Sequence, residues 1–269
     1  MSRAGRAGEL NLPSAVAADD AGDARLGYFE HSAGPLVSLV FVAPLILIYE
    51  LGTRGGAPAA SGATPQHVIA FSLLQEFFAM FGATGKGLPA LAVAGILLAW
   101  HVARHDRWGV RWTALMGMAV EGSCLSLPLL ALSVALAHLL RLLPLAASHA
   151  AHSALGSSRI PTDDLLLLCL GAGIYEELVF RLIGLTILTL LVKDLLQVPR
   201  RPATLLVVLS SAVLFAGYHY LGSEVFRWRT FAFRTLAGIY FGVLFLTRGF
   251  GVTAATHAAY DILVLLVLS

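Results

Sequence analysis

Beyond residue 35 the chain is built mostly of apolar stretches too long for the surface of a soluble domain. A membrane span needs about 20 mostly apolar residues, with a range near 17–25. Six segments match or approach that length: 35–51, 87–103, 165–192, 203–221, 232–247 and 252–268. Segment 112–143 is too long for one upright span at about 1.5 Å per residue. With Pro128 inside, it reads as one long kinked helix or as two short ones. Segment 67–82, "HVIAFSLLQEFFAMFG", is short and carries Gln75 and Glu76, so it either crosses or lies in the interface as an amphipathic helix. The expected fold is all-α, a polytopic transmembrane bundle of about seven spans, eight if an ambiguous segment splits or crosses.

Charge agrees with that class. Only 13% of the residues are charged, against about 25% in soluble domains. A net charge of +2 and the lack of a basic tract with interleaved aromatics exclude nucleic acid as a partner. Cys124 and Cys169 both lie in apolar stretches and read as small buried hydrophobes. Residues 1–30 contain arginines and acidic residues but no apolar core, so they read as a loosely attached tail rather than a signal peptide. Residues 31–269 then form one membrane domain.

Basic residues in the loops 104–111 and 200–201 favour the cytoplasmic side for both. This works if 67–82 does not cross, and it leaves the C-terminus outside. "SEVFRWR" (223–229) then places two arginines outside, so orientation stays open.

Charges inside a span each cost roughly 2.5–3.5 kcal/mol near its centre. The stretch "GIYEELVFR" nevertheless places Glu176, Glu177 and Arg181 among Leu, Val and Phe. In α-helical geometry residues four apart share a face, so Glu177 and Arg181 pair, and pairing lowers the cost of burying both. Glu176 points about 100° away from Glu177, which leaves it free to act as a general base. A purely structural ion pair is the alternative. The next apolar segment carries "FAGYH", Phe215 to His219, and the last carries "HAAYD", His257 to Asp261. A lone intramembrane histidine is more often a helix–helix hydrogen bonder. Three helices that each bring ionisable groups into lipid are stabilised most by facing one shared polar cavity.

"EELVFR" fits EExxxR, "FAGYH" fits FxxxH and "HAAYD" fits Hxxx(N/D), in that order. The stretch 165–269 therefore resembles the CPBP, or ABI, family of intramembrane proteases, which includes the type II CAAX prenyl endopeptidases. The resemblance implies an endopeptidase acting on a peptide or protein substrate, lipidated or not, at the bilayer. It implies that Glu176 and His219 activate water, that Glu177 and Arg181 support them, and that His257 and Asp261 stand at the oxyanion position. The family more often has Asn at the last position. An ionised Asp261 cannot donate to an oxyanion, so it is expected to orient His257, which donates instead. No HExxH is present. The expectation is therefore no cofactor, with zinc on the two histidines and a glutamate as the less favoured alternative. The GxSG and GxGD signatures of other intramembrane proteases are absent.

A transporter or proton relay built from the same groups is the competing reading, and a non-catalytic scaffold or immunity protein on the same fold is the third. The expected location is a multi-pass protein of a prokaryotic cytoplasmic membrane. Among the other polar positions, Glu121 reads as a helix-pairing group, with a place in a cavity wall as the alternative. Glu50, Glu76, His101 and His138 are expected at interfaces or span ends. Gly238 and Gly242 read as close helix packing. His149 and His152 are too sparse for a metal site.

Overall fold

The computed structural model describes residues 27–55, 68–139, 162–222 and 224–268, all of them helix or short connection. The early tail, the loops around 56–66 and 146–160, His149, His152 and the His138 side chain lie outside the described residues. Helix α1 (Tyr28–Ser32) is followed by α2 (Pro35–Gly55), α3 (Ile69–Met80), α4 (Leu88–Arg104) and α5 (Trp112–Leu139). Helix α6 (Thr162–Gly171) continues without a break through π-helical turns at Ala172–Glu176 and Leu178–Leu185. The same rod runs on as α7 (Thr186–Thr189) and a last π-helical stretch, Leu190–Leu195. Then come α8 (Arg200–Tyr218), a 3₁₀ turn His219–Leu221 and α9 (Trp228–Leu268).

Among the described residues, four helices are long and apolar enough to cross a membrane: Pro35–Thr53, Trp112–Leu136, Arg200–Leu221 and Trp228–Val267. The chain is thus a helical multi-pass membrane protein, but seven or eight spans are not reached by that measure among the described residues. α3 has 12 residues and α4 has 17, and in the rod 162–195 no single α-helical or π-helical stretch exceeds 10 residues. Segment 112–139 resolves the earlier choice, since it is one helix with Pro128 inside. The tail boundary near residue 30 falls within α1, whose His31 and Ser32 are buried.

The segments expected as separate spans at 232–247 and 252–268 are the two arms of α9. Gly249 has φ 78° and ψ −178° between them. That left-handed conformation is open to glycine at little cost and reverses the chain. Phe241 stacks on His257 with ring centroids 4.5 Å apart, and Phe233 meets Tyr260 at 6.1 Å. Residues 16 apart on a straight helix would be about 24 Å apart, so α9 is a hairpin with its tip at Gly249.

At the tip, Arg248 pairs with Glu121 on α5 and donates to the Phe29 carbonyl at 3.0 Å and the Ser32 hydroxyl at 2.9 Å. Its guanidinium lies 4.4 Å from the Phe29 ring centroid, and Tyr28 donates to Glu121 at 2.6 Å. Glu121 is therefore the helix-pairing group expected of it. Gly238 packs on Ala212, where an added Cβ would come within 2.9 Å of the Ala212 Cα, so the first arm and α8 are in close backbone contact. The largest apolar cluster joins α2, α3, α4 and the first π-helical turn around Tyr49, Phe71 and Tyr175. Their ring centroids lie 5.0–5.6 Å apart, close enough for each edge-to-face pair to add to its burial energy. Glu50 and His101, expected at interfaces or span ends, are buried, and Glu50 accepts from the Tyr175 hydroxyl at 3.2 Å.

Candidate active site

Three elements supply the polar groups. Glu176 ends the first π-helical turn, Glu177 separates it from the second, and Arg181 lies within the second. His219 is the first residue beyond α8, and the second arm of α9 carries His257 and Asp261. Gly173 makes the close approach possible. A Cβ there would lie 2.7 Å from the Ala254 carbonyl oxygen and 2.8 Å from the Ala258 nitrogen. The backbone of the returning arm therefore runs directly against the helix that carries the glutamates.

All six expected residues meet. Glu177 Oε1 lies 3.1 Å from Arg181 Nη1 and 2.7 Å from His257 Nδ1, with Glu177 and Arg181 both fully buried. Arg181 also donates to the Gly238 carbonyl at 3.3 Å and lies 4.3 Å from the Phe215 ring centroid. Glu176 Oε2 faces two ring nitrogens, His219 Nε2 at 3.8 Å and His257 Nε2 at 3.8 Å. Asp261 Oδ2 is 3.6 Å from His257 Nε2. The side chains of His219 and Asp261 are 20% and 29% exposed against 7% for Glu176, so the cluster opens on their side.

Two expectations change in this geometry. The carboxylates of Glu176 and Glu177 do not diverge; they face the two nitrogens of one imidazole. π-Helical turns hold more residues per turn than an α-helix, so neighbouring side chains splay by less than 100°. Asp261 is also not the close partner of His257. Glu177 holds Nδ1 at hydrogen-bond length, while Asp261 stands beyond it.

The hydrogen bonds constrain the protons. His219 Nδ1 lies 2.8 Å from the Phe215 carbonyl oxygen. A carbonyl only accepts, so Nδ1 carries the hydrogen and Nε2 of the neutral ring is an acceptor turned toward Glu176. Two acceptors have no hydrogen to share between them, and a water molecule beside both can donate one hydrogen to each. Among the described residues, no three His, Cys, Asp or Glu side chains are gathered as a metal site.

Sequence reasoning passed over Tyr218, which occupies an unspecified position of FxxxH. Its buried hydroxyl donates to Glu176 Oε1 at 3.2 Å and accepts the Ala70 N–H at 2.8 Å. Nothing in the spacing of "FAGYH" points to it, because both partners come from other helices.

The model of the Rce1-like family, type II CAAX prenyl endopeptidases, matches residues 160–263. That range contains Glu176, Glu177, Arg181, His219, His257 and Asp261, and the family resemblance read from the three motifs is borne out. Neither the curated proteins nor the solved structures contain a match to the chain.

Proposed function

We propose that this chain is an intramembrane endopeptidase of the CAAX type, in which Glu176 and His219 activate the water that hydrolyses a peptide bond. One observation carries the reading. A single carboxylate oxygen, Glu176 Oε2, faces an acceptor nitrogen of His219 and the Nε2 of His257 at equal distance, inside apolar helices. A water molecule that donates one hydrogen to Glu176 and the other to His219 keeps a lone pair free for the scissile carbonyl carbon. As the new C–O bond forms, Glu176 takes the proton. His257, protonated on both nitrogens, donates through Nδ1 to Glu177 and through Nε2 to the developing oxyanion. Glu176 then returns its proton to the leaving amine. Arg181 keeps Glu177 aimed at His257, and Asp261 lines the open side.

The substrate is a peptide or protein segment, lipidated on the family's pattern, that enters from the side of His219 and Asp261. The bundle makes seven crossings: α2, α4, α5, the rod 162–195, α8 and the two arms of α9. α3 lies against the core without crossing.

The test uses purified protein in liposomes with fluorescence-quenched peptides, one ending in a farnesylated CAAX sequence and one unlipidated. Wild type and Glu176→Gln run with and without a chelator. Glu176→Gln should lower turnover by at least about 100-fold, the scale of general base catalysis, with unchanged unfolding temperature. Turnover kept by Glu176→Gln would sink the reading. Loss with chelator, restored by zinc, would replace the metal-free mechanism. Proton flux that Glu176→Gln stops, with no peptide cleaved, would assign the cluster to a transporter.

A further inference from the structure

The structure assigns a positioning role to Tyr218: its hydroxyl fixes one oxygen of Glu176 so that the other alone faces the two imidazoles. This rests on the reading of Glu176 as the base. Tyr218 is buried, 5% exposed, and its ring packs edge-on against Phe180 at 5.0 Å and His219 at 4.9 Å. The ring is thereby held at the junction of α8 with the glutamate-bearing rod.

The direction of its hydrogen bonds follows from the donors available. The Ala70 N–H can only donate, and it points to the Tyr218 oxygen at 2.8 Å. The single phenolic hydrogen is then free to go elsewhere, and Glu176 Oε1 lies 3.2 Å away as a pure acceptor. The relay runs one way, from the first turn of α3 through Tyr218 to the carboxylate, and chains of this kind strengthen each member. A glutamate carboxylate turns readily about its last bond. With Oε1 occupied by Tyr218, that rotation is stopped and Oε2 is left toward His219 Nε2 and His257 Nε2. The other charged groups near Glu176 fix different atoms. Glu177 and Arg181 hold each other and His257 Nδ1, while Asp261 faces His257 from the open side. Among the described residues, Tyr218 is the side chain that hydrogen-bonds Glu176 directly.

The role also gives α3 a function. Its first turn is tied to the base through a backbone N–H, so the seat of this short helix sets where Glu176 points.

The experiment compares wild type, Tyr218→Phe, Tyr218→Gln and Glu176→Gln on the farnesylated quenched peptide in liposomes, with unfolding temperature and size-exclusion profile recorded for each. Tyr218→Phe keeps the ring and removes only the hydroxyl. It should lower kcat at least tenfold and leave KM within twofold, because binding is untouched and the base is misaligned. Tyr218→Gln restores a donor and an acceptor and should return at least a third of wild-type kcat. Wild-type kcat in Tyr218→Phe, or a loss carried by KM alone, would overturn the assignment. Should Tyr218→Phe not fold, Tyr218→Gln decides: kcat below a tenth of wild type overturns it. Full turnover in Glu176→Gln would instead remove the base itself, an outcome distinct from failure of the tyrosine.

Discussion

Arg181 is a fully enclosed guanidinium, held by Glu177, the Gly238 carbonyl and the face of Phe215. A buried ion pair need not stabilise a fold relative to an apolar pair, but stripping it of one member leaves an uncompensated charge at a cost of about 3–5 kcal/mol. Arg181→Leu should therefore lower the stability of the solubilised protein by about that amount. Arg181→Leu with Glu177→Leu should lose less than the sum of the two single losses, because each single variant already removes the ion pair. Additive losses in thermal unfolding would show that the two are not coupled. The Glu177–Arg181 pair was legible because i,i+4 spacing on one helix needs no tertiary information. The Glu177–His257 bond was not, since its partners are 80 residues apart and meet only after the chain has doubled back. Tyr218 was hidden for the same reason.

At the scale of elements, the hairpin turn decides more than any side chain. Gly249 combines a positive φ with a close neighbour, the Ala33 carbonyl oxygen, 2.8 Å from where a Cβ would sit. Gly249→Ala should lower stability by about 1–3 kcal/mol, the range for a residue held in a sparsely populated backbone region. The same substitution at Gly95, which has open space around its Cβ, serves as the control. Matching unfolding temperatures for the two would mean that the turn relaxes without strain. Apolar length in the sequence marked both arms of α9 but not their direct junction, because no polar loop separates them. The π-helical turns of 172–185 had no signature at all. Apart from Glu176 and Arg181 they carry ordinary apolar residues, and what distinguishes them is backbone pairing, with Gly173 let in close to the second arm. Pro128 could not decide between one helix and two, since neighbouring helices can satisfy the backbone groups that a proline frees.

At the scale of the whole molecule, the contacts sort the connections into two ends. Arg111 donates through its backbone to His31, and Arg248 reaches Phe29, so the loop 105–111, α1 and the hairpin tip lie at one end. Gly52 packs against Leu167, and His219 and Asp261 belong to one cluster through Glu176 and His257, so the other end holds the start of the rod, the loop after α8 and the C-terminus. Single cysteines at Trp228 and Val267, both exposed, should react with an impermeant maleimide from one face of a vesicle, with Cys124 and Cys169 replaced by Ser. A cysteine at Trp108, also exposed, should react from the opposite face. Labelling of 228 and 267 from opposite faces would contradict the hairpin. The helical class and the motif-bearing half could be read from composition and spacing, because both are local properties. The sorting of the ends could not, because it depends on which helices touch.

The hairpin also sets a timetable. A ribosome releases Glu176, Arg181 and His219 long before the second arm, and the arm cannot settle until Arg248 finds Glu121 and the Phe29 carbonyl in helices made much earlier. His257, which completes the cluster, is thus withheld until the second arm has been translated and α1 has been located. A stalled or truncated chain carries Glu176 but not the full cluster, so the order of synthesis alone delays the assembly of the site.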